Sequence, residues 1–134
     1  MTFEEYQRLA QRTSSGKLQL IDKIENGLMG LNGEAGEAID VLKKHKFQGH
    51  SLDQDKIIEE LGDVLWYIAE TCEGLGVPME KVARLNIEKL KKRYPEGFSS
   101  ERSINRKLNN YDEREKEGGN YGGKAENPRV GEDL

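Results

Sequence analysis

Four acidic residues stand in the same frame twice along this chain. Glu34-x-x-Glu37 lies in EAGEAIDVL and Glu60-x-x-Asp63 in ELGDVLWYI, and a shift of 26 positions lays the first stretch on the second. Ala35 then falls on Leu61, Gly36 on Gly62, Ala38 on Val64, Ile39 on Leu65, Val41 on Tyr67 and Leu42 on Ile68. Carboxylates at such spacing suit two tasks: holding a hard divalent cation, and taking or giving protons. Four acids brought together repel one another, so a packed site of this kind needs cations or protons to offset them. Mg²⁺, which prefers carboxylate oxygens and water, fits the set, with Mn²⁺ standing in for it. The alternative is two solvated acidic patches that share a spacing, because Glu-x-x-Glu alone is common on helices.

The elements that must position these acids read as helices. Apolar residues recur at three- and four-residue steps, Leu31, Ala35, Ala38 and Leu42 in one stretch and Ile57, Leu61, Val64 and Ile68 in the other. At about 100° per residue, Glu60, Asp63 and Tyr67 sit roughly 100° to 160° from the centre of that stripe, as do Glu34, Glu37 and Val41 on their own helix. The acids therefore share a second face with Tyr67, flanked by Trp66. The economical arrangement is an antiparallel pair of helices presenting four oxygen donors to one site.

Around this pair the chain reads as all-α. Thr2 and Glu5 have capping-box spacing ahead of a short helix, about Phe3 to Arg12, broken at Ser14-Ser15-Gly16. This helix either packs across the end of a bundle or forms one wall of a base pocket. A long helical region follows from about Lys17 to Lys44. Gly27, Gly30, Gly33 and Gly36 within it imply either close approach of another backbone or ligand, or a bend near Gly27 to Gly33. Lys43, Lys44 and Lys46 suit a helix C-terminus. A loop from Phe47 to Asp53, capped by Ser51 or Asp53, leads to a helix from about Gln54 to Leu75, closed by Gly76. Pro78 opens the next helix, Met79 to Arg93, whose one side carries Asn86, Lys89 and Arg93. That file of amide, ammonium and guanidinium suits a polyphosphate, or is a solvated face in a Lys-rich segment.

Two stretches together carry a resemblance. Glu34-x-x-Glu37, 22 intervening residues and Glu60-x-x-Asp63 are followed by Asn86, Lys89, Leu90, Arg93, Tyr94, Pro95, Gly97 and Phe98. In this order and spacing, from about Leu28 to Phe98, the chain resembles the MazG-like all-α nucleoside triphosphate pyrophosphohydrolases. The resemblance implies a four-helix-bundle-like domain and Mg²⁺-dependent hydrolysis between the α and β phosphates, yielding a monophosphate and pyrophosphate as in nucleotide-pool housecleaning. It implies Glu37, Glu60 and Asp63 as metal ligands and Glu34 as ligand or water activator. Asn86, Lys89 and Arg93 would hold the β and γ phosphates, with Tyr94 or Trp66 near the nucleoside; Trp66 is equally suited to an interface. Within the same superfamily, a dedicated dUTP or dCTP hydrolase or a phosphoribosyl-ATP pyrophosphohydrolase would share the metal acids and differ in the pocket. A non-catalytic helical dimerisation module is the reading from another class. A ferritin-like di-iron bundle needs a His three residues after a Glu on two helices, and His45 and His50 sit in no such register.

Bulk properties bound the rest. A chain of 134 residues with 34% apolar and 34% charged residues is one domain with little apolar material for a self-sufficient core. Helices apolar on one face and aromatic on another are expected to complete their burial in a dimer or a dimer of dimers (tetramer). A net charge of −4 speaks against nucleic acid as the main ligand. The single cysteine, Cys72, lies on the apolar stripe and is expected to be a buried structural thiol. No apolar run approaches a membrane span and no leader opens the chain, so the cytoplasm is the expected address. Composition changes after Ser99, so residues 1–99 are expected to form the domain and 100–134 a polar arm or tail. Asn105 to Lys116 would be a polar helix or crossing arm, with Tyr111 and Tyr121 able to dock and disorder from about Glu117.

Overall fold

A computed structural model describes residues 1–105 of the chain; the expectations for Asn105 to Lys116, Tyr111, Tyr121 and the disorder from Glu117 concern residues that lie, all but Asn105, outside it. The described residues are helical, with no strand among them: α1 Phe3–Ala10 and a 3₁₀ turn Gln11–Thr13, then α2 Leu20–Gln48, α3 Gln54–Gly74, α4 Met79–Arg93 and α5 Ser100–Ile104. Among them, no helix is long and apolar enough to cross a membrane. The chain divides into a unit Met1–Leu90 and a second beginning at Lys91.

Helix boundaries follow local chemistry. Thr2 and Glu5 form a reciprocal capping box, the Glu5 amide donating to Thr2 Oγ1 at 3.1 Å and the Thr2 amide to Glu5 Oε2 at 2.9 Å. α2 starts at Leu20 rather than Lys17, because Gln19 is extended and its amide is taken by Asp22 Oδ2 at 3.0 Å. It runs one turn past Lys44 to Gln48, where Gly49 turns left-handed at φ 76°. Phe47 and Gln48 are therefore helical, and the loop is shorter than expected. Lys43 and Lys44 lie before the last turn and pair with Asp40, at 2.7 and 2.9 Å. Asp53 caps α3 through the Lys56 amide at 2.9 Å.

α2 and α3 form an antiparallel hairpin, and glycines set its seam. A Cβ on Gly74 would stand 2.7 Å from the Leu20 carbonyl oxygen, one on Gly27 would meet Thr71 and the Tyr67 carbonyl, and one on Gly30 would collide with the Tyr67 ring. Gly33 and Gly36 have nothing within 4 Å of that position. α2 is continuous through this region, so close approach rather than a bend accounts for Gly27 and Gly30. Pairing of residues 20 to 24 with 74, 27 with 71 and 30 with 67 brings the acid pairs to the next turns of the same seam.

The hairpin thus closes on the face that carries Glu60 and Tyr67, and the aliphatic stripes are divided: Cys72 is buried and Ile68 packs on the core, while Leu61 stays 56% exposed and Leu42 42%. The buried core is small, Ala10, Ala69, Cys72 and Met79, with Tyr6, Leu65, Trp66, Ile68 and Val77 packed on it. α1 is fastened to it by side chains: Gln7 Nε2 donates to the Val77 carbonyl at 3.2 Å and Gln7 Oε1 accepts from the Met79 amide at 2.8 Å. Beyond Met79, α4 keeps Val82, Leu85 and Ile87 exposed.

Candidate metal centre

The seam places a carboxylate oxygen from each of Glu34, Glu37 and Glu60 within 4.8 Å of one another. Glu34 and Glu37 come from α2 and Glu60 from α3, so the site exists only because the hairpin is closed. Glu60 is 2% exposed, Glu34 partly buried and Glu37 open to solvent. Nζ of Lys56, one turn before Glu60, stands 2.8 Å from Glu60 Oε1. The two form a close ion pair, and Oε1 is buried with no other polar partner. The same ammonium bonds Glu59 Oε2 at 3.1 Å. Contact with Glu60 and then Glu59 raises the Lys56 ammonium above its ordinary value.

Crowding shows in the electrostatics. Desolvation, then the charges of Glu37, Asp63 and Glu60, raise the Glu34 carboxyl above its usual range. Asp63 is exposed and outside the close trio, yet its charge reaches both Glu34 and Tyr6, whose hydroxyl is pushed up by burial first and by Asp63 second. Three carboxylate oxygens from two helices, that of Glu60 on a buried side chain, fit a hard divalent cation. Glu60, Glu34 and Glu37 could hold it, with Asp63 adjacent.

The other sequence candidates are placed differently. Trp66 Nε1 donates to the Ala10 carbonyl at 3.2 Å and Thr13 Oγ1 at 2.8 Å, and its ring meets Tyr67 edge-on at 5.0 Å. Its polar atom is engaged in holding α1 and the 3₁₀ turn on α3. Asn86 and Lys89 are exposed on α4, and among the described residues neither bonds to an acid of the quartet. Arg93 and Tyr94 belong to the second unit, where Tyr94 packs on Phe98 with ring centroids 5.6 Å apart. Cys72 is buried, as its place on the stripe implied, and burial pushes its thiol up.

Residues 22–98 match the family profile described as the MazG nucleotide pyrophosphohydrolase domain. The chain belongs to that family. The matched span begins inside α2, so α1 and the 3₁₀ turn lie outside the MazG match although they pack on its α3. A relative, the "Gene 37 protein" of Mycobacterium phage L5, is 33% identical over 87 residues, covering 62% of this chain and 76% of that protein. No solved structure matches the chain.

Two residues of α3 in the MazG span escaped the sequence reading. Lys56 was legible in principle, since Lys56 and Glu60 are four apart on one helix. Glu70 was not. It is fully buried, accepting from Gln11 Nε2 at 3.0 Å on Oε2 and from Ser14 Oγ at 2.9 Å on Oε1, with Lys23 Nζ at 4.0 Å from Oε2. Its partners lie 47 to 59 residues away in sequence, and no local spacing announces them.

Proposed function

We propose that this protein is a Mg²⁺-dependent nucleoside triphosphate pyrophosphohydrolase, releasing a nucleoside monophosphate and pyrophosphate, with Mn²⁺ able to replace Mg²⁺. The observation that carries the reading is the convergence of carboxylate oxygens of Glu34, Glu37 and buried Glu60 within 4.8 Å of one another. Membership of the MazG family supports a nucleotide as substrate. A divalent cation bound there supplies charge neutralisation at the phosphate oxygens and acidifies a water. Glu37, Glu60 and Asp63 hold the ion. Glu34, whose carboxyl is made more basic by desolvation and then by its acidic neighbours, serves as ligand or takes a proton from the attacking water. Asn86, Lys89 and Arg93 bind the β and γ phosphates, and Tyr94 or Trp66 borders the nucleoside.

The working form is a homodimer or a dimer of dimers. The aliphatic side chains left exposed on the hairpin, Ile39 and Leu61 among them, support this, because their contact with water is relieved by a second copy. Sedimentation at micromolar concentration should show at least a dimer; a monomer would refute this part. Turnover is tested by pyrophosphate release from each ribo- and deoxyribonucleoside triphosphate, including dUTP and dCTP, and from phosphoribosyl-ATP, with Mg²⁺. Loss of activity in Glu37→Gln and Asp63→Asn supports the assignment, and undiminished turnover in both removes these acids from the mechanism.

A further inference from the structure

We propose that Lys56 is a built-in counter-ion that neutralises Glu60 in the metal-free protein, gives way to an incoming divalent cation by shifting to Glu59, and so weakens and tunes metal binding. The inference rests on the acid cluster being a cation site. Three observations carry it. Glu60 is 2% exposed, and a carboxylate withdrawn from water beside two others is costly unless a cation offsets it. Among the described residues the ammonium paired with Glu60 is that of Lys56, 2.8 Å from Oε1, and nothing else partners that oxygen. The pair therefore satisfies the charge of Glu60 through one contact that an incoming cation can replace.

The third observation is that Lys56 has somewhere to go. Its side chain is 44% exposed, and Glu59 Oε2 already lies 3.1 Å away on the solvent side, 64% exposed. Leaving Glu60 requires only a rotation of a flexible four-carbon stem, with a carboxylate still in contact and the ammonium returned to water. Lysine and cation compete for one carboxylate, so the free energy of the Lys56–Glu60 contact is subtracted from metal affinity. The device keeps the hairpin seam intact when no metal is present.

The test compares wild type with Lys56→Met, Lys56→Arg and Lys44→Met in the full chain at 0.15 M salt. Lys44 pairs with Asp40 and serves as a control for general loss of positive charge. Mn²⁺ affinity is read by titration calorimetry or by the paramagnetic resonance of free Mn²⁺, and melting temperature with and without the ion. Lys56→Met should bind Mn²⁺ roughly tenfold more tightly, melt lower without metal and gain more on adding it. Lys56→Arg should stay near wild type and Lys44→Met should change affinity little. Equal or weaker Mn²⁺ binding by Lys56→Met, or equal tightening by Lys44→Met, overturns the role of Lys56 alone. No Mn²⁺ binding by any of the proteins overturns the cation site and this inference with it.

Discussion

α3 buries two carboxylates ten residues apart, and they are treated in opposite ways. Glu70, with no exposure, receives a donor on each oxygen, from Gln11 and Ser14, while Lys23 stands by and itself donates to Gln11 Oε1 at 2.8 Å. Glu60, at 2% exposure, has one ammonium beside it, other carboxylates around it and no other polar partner on Oε1. Burial alone therefore does not fix how an acid is partnered. What distinguishes them is their partners: Glu70 ties α1, the 3₁₀ turn and α2 to α3, whereas Glu60 sits among other carboxylates with Lys56 alone beside its Oε1.

That contrast can be broken by experiment. The largest effect expected is on turnover: Glu60→Gln should lower pyrophosphate release by roughly 10²–10³-fold and abolish thermal stabilisation by Mn²⁺, while the fold survives by circular dichroism. Glu70→Ala should do the reverse, losing about 3 kcal/mol or more in urea unfolding because Gln11, Ser14 and Lys23 lose their partner; Mn²⁺ should still raise its melting temperature. If Glu70→Ala lost metal binding while remaining folded, the two carboxylates would not be separable.

The glycine strip sharpens the same comparison at the level of packing. Gly27→Ala forces a methyl into Thr71 and the Tyr67 carbonyl and should destabilise by about 1–3 kcal/mol. Gly33→Ala meets nothing within 4 Å and should stabilise by up to about 1 kcal/mol. Equal effects at the two positions would mean that the seam does not depend on close approach.

The smallest effect is a pH-dependent one. Glu34 titrates above its ordinary value in the folded protein, so its ionised form is disfavoured by folding. The penalty is fully present above the raised folded value and disappears as pH falls below the unfolded value of 4.5. Metal-free Glu34→Gln should therefore melt higher than wild type at neutral pH, with the difference shrinking as pH falls through that window. Asp40 runs the other way: Lys43 and Lys44 lower it to about 2, so its contribution holds above the ordinary 3.8 and is lost as pH falls through about 2. A Glu34→Gln difference that grew on acidification would contradict the crowding of the trio.

Helices were legible because their signals are local. Thr2 with Glu5, Asp53 and Gly76 mark ends that the neighbouring residues alone determine, and the three- and four-residue apolar steps mark the spans between. The ends that moved, at Gln19 and Gln48, were set by an extended cap residue and a left-handed Gly49, which periodicity does not register. The shared frame of Glu34, Glu37, Glu60 and Asp63 was equally plain, since an acid pair one turn apart is a property of one helix.

By itself, then, the order of residues determined which helices form, which acids lie on one face of each, and the motif by which the chain joins the MazG family. The tertiary structure decided the face on which the hairpin closes, because the missing side chains of Gly27, Gly30 and Gly74 let two backbones approach where aliphatic residues could not. From that choice follows the meeting of Glu34, Glu37 and Glu60 within 4.8 Å. The engagement of Trp66 by α1 and the separate fate of Glu70 follow from how the N-terminal segment lies on α3. These depend on contacts between residues far apart in the chain, whose free energies no helical wheel contains.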